Sequence, residues 1–149
     1  MEYGQAVRGA GDMNEMQIGD AWIYARLAAS PELQTLCGGR IYRDLAPEDA
    51  IEPLVVYSAP PGQDVTFNGA ARLQVNVDYT VKAITRGESF VVAYQVASAI
   101  DTALHGEIGE QDGRQVAAYR TSPVGYTTLE KDTRFNHAGG VYRLNIAGS

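Results

Sequence analysis

From Arg72 to Ile84 apolar and polar residues alternate almost without interruption. Leu73, Val75, Val77, Tyr79, Val81 and Ala83 fall on one side, and Arg72, Gln74, Asn76, Asp78, Thr80 and Lys82 on the other. A period of two held for this long marks a β-strand with one dry and one wet face, and such a strand belongs to an antiparallel sheet covered on a single side. Every other segment must therefore pair with this strand or cover its dry face.

Two stretches have the helical spacing needed for a cover. Asp12 followed by Glu15 forms a capping-box pattern, and the helix expected after it runs to about Ala29. Its apolar stripe is Ile18, Ala21, Trp22, Ala25 and Ala29, widened by Ile23 and Leu27. The second helix spans about Ser89 to Leu104, with Val92, Val96, Ala99, Ile100 and Ala103 on one face and Gly106 as its left-handed stop. Between them, Ser30-Pro31 starts a short helical turn that Gly38-Gly39 ends.

Strands are expected at Arg40–Arg43, Leu54–Ser58, Gln115–Arg120, Tyr126–Glu130 and Val141–Ile146. The acidic segments Asp44–Pro53 and Glu107–Arg114 read as loops, and Gly139-Gly140 as a turn. Ala59–Ala71 reads as a long connection with Phe67 near its tip, a length common in functional loops. Residues 1–11, with Gly4, Gly9 and Gly11, carry no periodicity and read as a flexible arm ahead of one domain over 12–149. Strands grouped around two main helices predict the α+β class: a single domain, an antiparallel β-sheet with two helices packed on one face.

Composition narrows the chemistry. At 149 residues the chain has room for one domain, and no apolar run approaches the ~20 residues of a spanning helix, so a soluble protein without a membrane role is expected. The N-terminus lacks the basic start and apolar centre of a secretory signal. Cys37 is the only cysteine, which rules out an internal disulfide and fits a reducing site of synthesis. Twelve basic residues against eighteen acidic ones give a formal charge of −6, the wrong sign for gripping nucleic acid, though compatible with DNA sliding past without adhering.

His105 and His137 have no partners at metal-ligand spacing. The carboxylates Asp44, Glu48, Asp49 and Glu52, and Glu107, Glu110 and Asp112, lack a calcium-loop pattern. Neither a Gly-x-Ser-x-Gly elbow nor a glycine-rich phosphate cradle is present. No catalytic residue, metal ligand or cofactor site is expected. Nine tyrosines, among them Tyr42, Tyr57, Tyr119, Tyr126 and Tyr142 in or near strands, suit either sheet packing or an interface.

Several segments taken in order carry a resemblance. They are the helix with Ala21-Trp22-Ile23, the run Arg40 to Pro47, Pro53-Leu54-Val55-Val56-Tyr57 and the long alternating strand. The Val92–Leu104 helix and the closing Gly139 to Leu144 complete the set. Over Gly19 to Ile146 this pattern resembles the tail completion, or tail terminator, proteins of long-tailed bacteriophages and related gene transfer particles.

The resemblance implies a non-enzymatic virion protein, made in the host cytoplasm, that forms a hexameric ring at the tail–neck junction. That ring would cap the tail tube and offer the surface for head joining. The implied partners are further copies of the chain, the tail tube protein and a head-side connector or stopper protein, with DNA only passing through the lumen. On this reading Gln63, Asp64, Val65, Thr66, Phe67 and Asn68 contact the tube or a neighbouring subunit. Asp44, Glu48, Asp49, Glu52, Glu107, Glu110 and Asp112 face the lumen. Two alternatives stay open: another neck subunit of the stopper type, and a small-ligand-binding or enzymatic α+β domain with a dry pocket.

Overall fold

The alternating run folds as the strand Arg72–Arg86, and the rest of the sheet is built outward from it in both directions. The structure, a computed structural model, describes residues 14–60, 62–66 and 72–148. The arm expected at 1–11, and the cap expected at Asp12, lie outside them. Among the described residues there are three helices: α1 (Glu15–Ala28), α2 (Pro31–Cys37) and α3 (Val91–Leu104). The strands are β1 (Ile41–Arg43), β2 (Leu54–Ser58), β3 (Gln63–Thr66), β4 (Arg72–Arg86), β5 (Ile108–Gln111), β6 (Arg114–Glu130) and β7 (Thr133–Ala147). They form one sheet in the order β1-β2-β4-β7-β6-β5, with β3 also paired to β4, and every pairing is antiparallel except β1 with β2.

Val75, Val77, Tyr79, Val81 and Ala83 of β4 are all buried, as the alternation requires. Tyr142, Leu144 and Ile146 of β7 and Val116 and Ala118 of β6 extend that dry face, and the helices cover it as one apolar core. The fold class is therefore the expected α+β one, with α2 as a third helix and a parallel pair at one edge.

Local chemistry sets the helix ends. Asn14 caps α1 by accepting from the Gln17 N–H, while the Gln17 side chain accepts from the Asn14 N–H. Ser30 caps α2 above Pro31, and Gly38, at φ 59°, closes it in the left-handed region. The buried stripe of α1 is Ile18, Gly19, Trp22, Ile23 and Leu27; Ala25 and Ala29 of the expected stripe are exposed. α3 begins two residues later than expected, where the Ser89 hydroxyl accepts from the Val91 N–H.

At the sheet centre Tyr79 and Tyr142 are cross-strand neighbours, and both are fully buried. Each hydroxyl donates to a carboxylate on a different helix: Tyr79 to Asp20 of α1 and Tyr142 to Asp101 of α3, both at 2.7 Å. Helix α1 lies so close over this point that a Cβ on Gly19 would stand 2.5 Å from the Tyr79 oxygen. The two helices are thus pinned to adjacent strands by charge-assisted hydrogen bonds, each stronger than a neutral one.

Four expectations are corrected here. Gly139-Gly140 is not a turn; both lie within β7, and a Cβ on Gly139 would sit 2.1 Å from the Val81 carbonyl oxygen, so glycine permits the close approach of β4. Glu107–Arg114 is not a loop but the hairpin of β5 and the start of β6, closed by Asp112-Gly113 with φ of 52° and 79°. Ala59–Ala71 is not an unbroken loop, because Gln63–Thr66 pairs with β4 as β3. The segments expected at 115–120 and 126–130 are one strand, β6, with a bulge between Arg120 and Ser122.

Candidate assembly surfaces

The groups that could carry chemistry are built into the scaffold. Burial and the Asp20 and Asp101 carboxylates push the Tyr79 and Tyr142 hydroxyls far above the ordinary tyrosine range, so both remain protonated donors. Cys37 is buried, and burial raises its thiol against the opposing pull of Arg40, the reverse of what activates a nucleophile. The exposed His105 accepts the Arg120 backbone N–H at its Nδ1. His137 stacks on Tyr126 at 4.4 Å with its Nε2 2.9 Å from the Thr128 hydroxyl, and burial followed by the nearby Lys82 lowers its pKa. Among the described residues no three His, Cys, Asp or Glu side chains are placed to hold a metal ion.

The face of the sheet away from the helices is polar along most of β4 and β7. Asp78 and Arg143, cross-strand partners, make a two-pronged contact of 2.8 and 3.1 Å that holds the Asp78 carboxyl below its usual range. Lys82 donates to the Tyr126 hydroxyl at 2.5 Å. Toward the end of β4 the 45–52 segment folds back over this face, where Leu45, Ala46 and Pro47 share a recess with Leu54, Ile84 and His137.

The two acidic clusters lie at opposite edges of the sheet and do not meet within one chain. Asp44 follows β1, at φ 65°, and its carboxylate binds Arg43, which also bridges to Asp20 at 2.8 Å. Glu52 pairs with Arg86 at 3.3 Å, while Glu48 and Asp49 are exposed between them. At the other edge Glu107 binds Arg26 of α1, Glu110 is exposed on β5, and Asp112 occupies the hairpin turn. Of the seven carboxylates, Glu52 and Glu107 therefore tie separate elements together, Asp44 binds its chain neighbour, Asp112 sits in the turn, and Glu48, Asp49 and Glu110 are exposed charges.

Gln63, Asp64, Val65 and Thr66 form β3 beside the Arg72–Asn76 end of β4; Phe67 and Asn68 lie outside the described residues. The strand expected at Tyr126–Glu130 is present as part of the far half of β6; the sequence reading did not place its open edge. Beyond the bulge, Thr121–Glu130 pairs among the described residues with β7 on one side only, and nearly all of it is exposed, including Leu129 at 70%. Its signal was available: Val124 to Leu129 is a β-prone run without a charge, preceded by Pro123.

A family model described as tail completion protein gp17 matches residues 21–143. Among solved structures, a chain from the virion of a native gene transfer agent particle superposes with a TM-score of 0.71 at 20% identity, over 89% of this chain and 97% of that one. A second solved structure gives a TM-score of 0.60 at 14% identity, over 92% of this chain and 97% of that one. At these identities the likeness is one of fold. The comparison with curated proteins finds no match.

Proposed function

Because this chain belongs to the tail completion protein family, we propose that it assembles into a closed hexameric ring that caps the tail tube and presents the surface to which the DNA-filled head joins. The observation that carries this reading is the family match over residues 21–143, which takes in the second half of α1, all of α2 and α3, strands β1 to β6 and most of β7. The physical character of the chain agrees with it. The polar side chains of the interior hold helices to the sheet, and the exposed Glu48, Asp49 and Glu110 add to a net negative balance. In a ring those carboxylates face the lumen and keep DNA from adhering, since like charges repel across a short screened gap. Gln63 to Asn68 contacts the tube or the neighbouring subunit.

Electron microscopy of the protein mixed with purified, uncapped tail tubes tests the reading. One compact density at one end of each tube is the expected picture. Bare tube ends, together with binding to a head-side neck protein alone, would transfer the chain to the stopper side of the neck. A charge-reversed variant, Glu48→Lys with Asp49→Lys and Glu110→Lys, should still cap tubes and yet retain DNA in a salt-dependent way; unchanged DNA passage would remove the lumen assignment.

A further inference from the structure

We propose that the open edge of β6, from Thr121 to Glu130, is the seam between copies of this chain and pairs antiparallel with β3 of the next subunit. This deepens the ring reading and rests on it.

The first observation is where the cover on β6 stops. β5 pairs with Arg114–Ala117. The ladder then continues for one more residue, with Ala118 N–H donating to the Glu107 carbonyl and Gly106 N–H donating to the Ala118 carbonyl. Arg120 N–H is taken up by His105. Past Arg120 no described strand lies on this side of β6.

The second observation is which backbone groups face outward. Lys131 and Asp132, at φ 50° and 68°, form the two-residue turn joining β6 to β7, and such a turn makes Glu130 and Thr133 a hydrogen-bonded pair. Bonded and non-bonded pairs alternate from there. Thr128, Tyr126 and Val124 therefore bond inward to β7, while Leu129, Thr127, Gly125 and Pro123 direct their backbone outward. Pro123, which has no N–H, falls in the outward set, as an edge proline must. The N–H groups of Gly125, Thr127 and Leu129 are left as donors along an exposed edge. Thr121–Leu129 carries no charged residue, and soluble proteins ordinarily place Lys or another charge there to prevent strand addition.

The occupant follows from closure and strand direction. A ring of identical subunits uses two different surfaces that fit one another. At the far side of the sheet the candidates are β1 and β3. β1 has three residues, and turns at its two ends already use the Ile41 N–H, bonded to the Gly39 carbonyl, and the Arg43 carbonyl, bonded to the Leu45 N–H. β3 pairs with β4 alone among the described residues. β3 and β6 run in opposite directions, since β4 is antiparallel to both β3 and β7, and β6 is antiparallel to β7. Strand direction thus allows β6 of one copy to pair antiparallel with β3 of the next with neither turned over, the two copies being staggered along the strands because β3 lies level with Val116 of β6.

The test uses caps formed on tail tubes by the full chain, treated with a short bis-maleimide reagent. Cys37 is fully buried and stays silent. Chains carrying Thr127→Cys and Asp64→Cys together should give a ladder of covalent multimers ending in a closed ring, while either single variant stays monomeric on a denaturing gel. Dimers from Thr127→Cys alone would mean that β6 pairs with itself, and would overturn the seam. Caps visible by microscopy but without cross-links in the double variant would overturn the seam and leave the ring reading standing. Absence of caps with the unmodified chain would remove the ring reading and the seam together. Thr127→Pro, which deletes an outward donor and no bond to β7, should weaken cap formation by about tenfold or more with the subunit still folded; unweakened capping by that variant would equally overturn the seam.

Discussion

The sheet centre and the far half of β6 belong to the same hydrogen-bonded ladder and are held in opposite ways. At the centre β4 and β7 are flanked by strands on both sides and roofed by α1 and α3, and each helix is anchored by a buried tyrosine donating to its carboxylate. Beyond the bulge β6 has one neighbouring strand among the described residues, with mostly exposed side chains and outward-facing backbone. The centre is complete within one chain. Among the described residues the edge leaves backbone donors without a strand partner, which is why the proposed seam falls there and not at the centre.

The contrast can be broken most forcefully by matched substitutions. Leu144→Ala at the centre should lower stability by about 3 kcal/mol, as buried leucines do when truncated, whereas Leu129→Ala on the edge should change it by about 0.5 kcal/mol or less. Urea denaturation measures both, and equal losses would erase the distinction.

Glycines give a second pair. Gly139→Ala drives a methyl group into the Val81 carbonyl and should cost about 2–3 kcal/mol, while at Gly125 nothing lies within 4 Å and alanine should be nearly neutral. Removing the anchoring hydroxyls comes next. Tyr79→Phe and Tyr142→Phe should each cost about 1.5–3 kcal/mol, the range for hydrogen bonds to charged groups, and Tyr126→Phe, whose hydroxyl meets Lys82 at the surface, clearly less.

The smallest effect is one of pH. His137 has a depressed pKa in the fold, so between that value and the ordinary 6.5 the unfolded chain binds more protons. Stability should therefore fall as pH drops below 6.5 and level off below the folded pKa. Denaturation at pH 7 and pH 5 should show this slope in the native chain and a flatter one in His137→Gln.

What the sequence discloses follows from how local each signal is. The period of β4 is legible because burial on one face repeats every second residue. The Asp112-Gly113 hairpin was also within reach, as this dipeptide is a strong two-residue turn signal, but the flanking Glu107, Glu110 and Arg114 give β5 too little apolar pattern to register as a strand. Gly139-Gly140 misleads because its cause is the backbone of β4, more than fifty residues away, and a close approach leaves no mark in the local sequence. Pro123 suggests a strand end when it marks an edge. The separation of the two acidic clusters depends on sheet order, and so does the exposure of β6; neither can be read from the spacing of residues.

Amide hydrogen exchange along β6, followed by NMR in the free subunit and read again by mass spectrometry on caps, tests the central claim most directly. The account predicts an alternation in the free chain, with Gly125, Thr127 and Leu129 exchanging quickly and Val124, Tyr126 and Thr128 slowly. It also predicts that the fast set becomes protected once caps form. Uniform protection across all six amides in the free subunit, or a fast set that stays fast in the assembled cap, would contradict it.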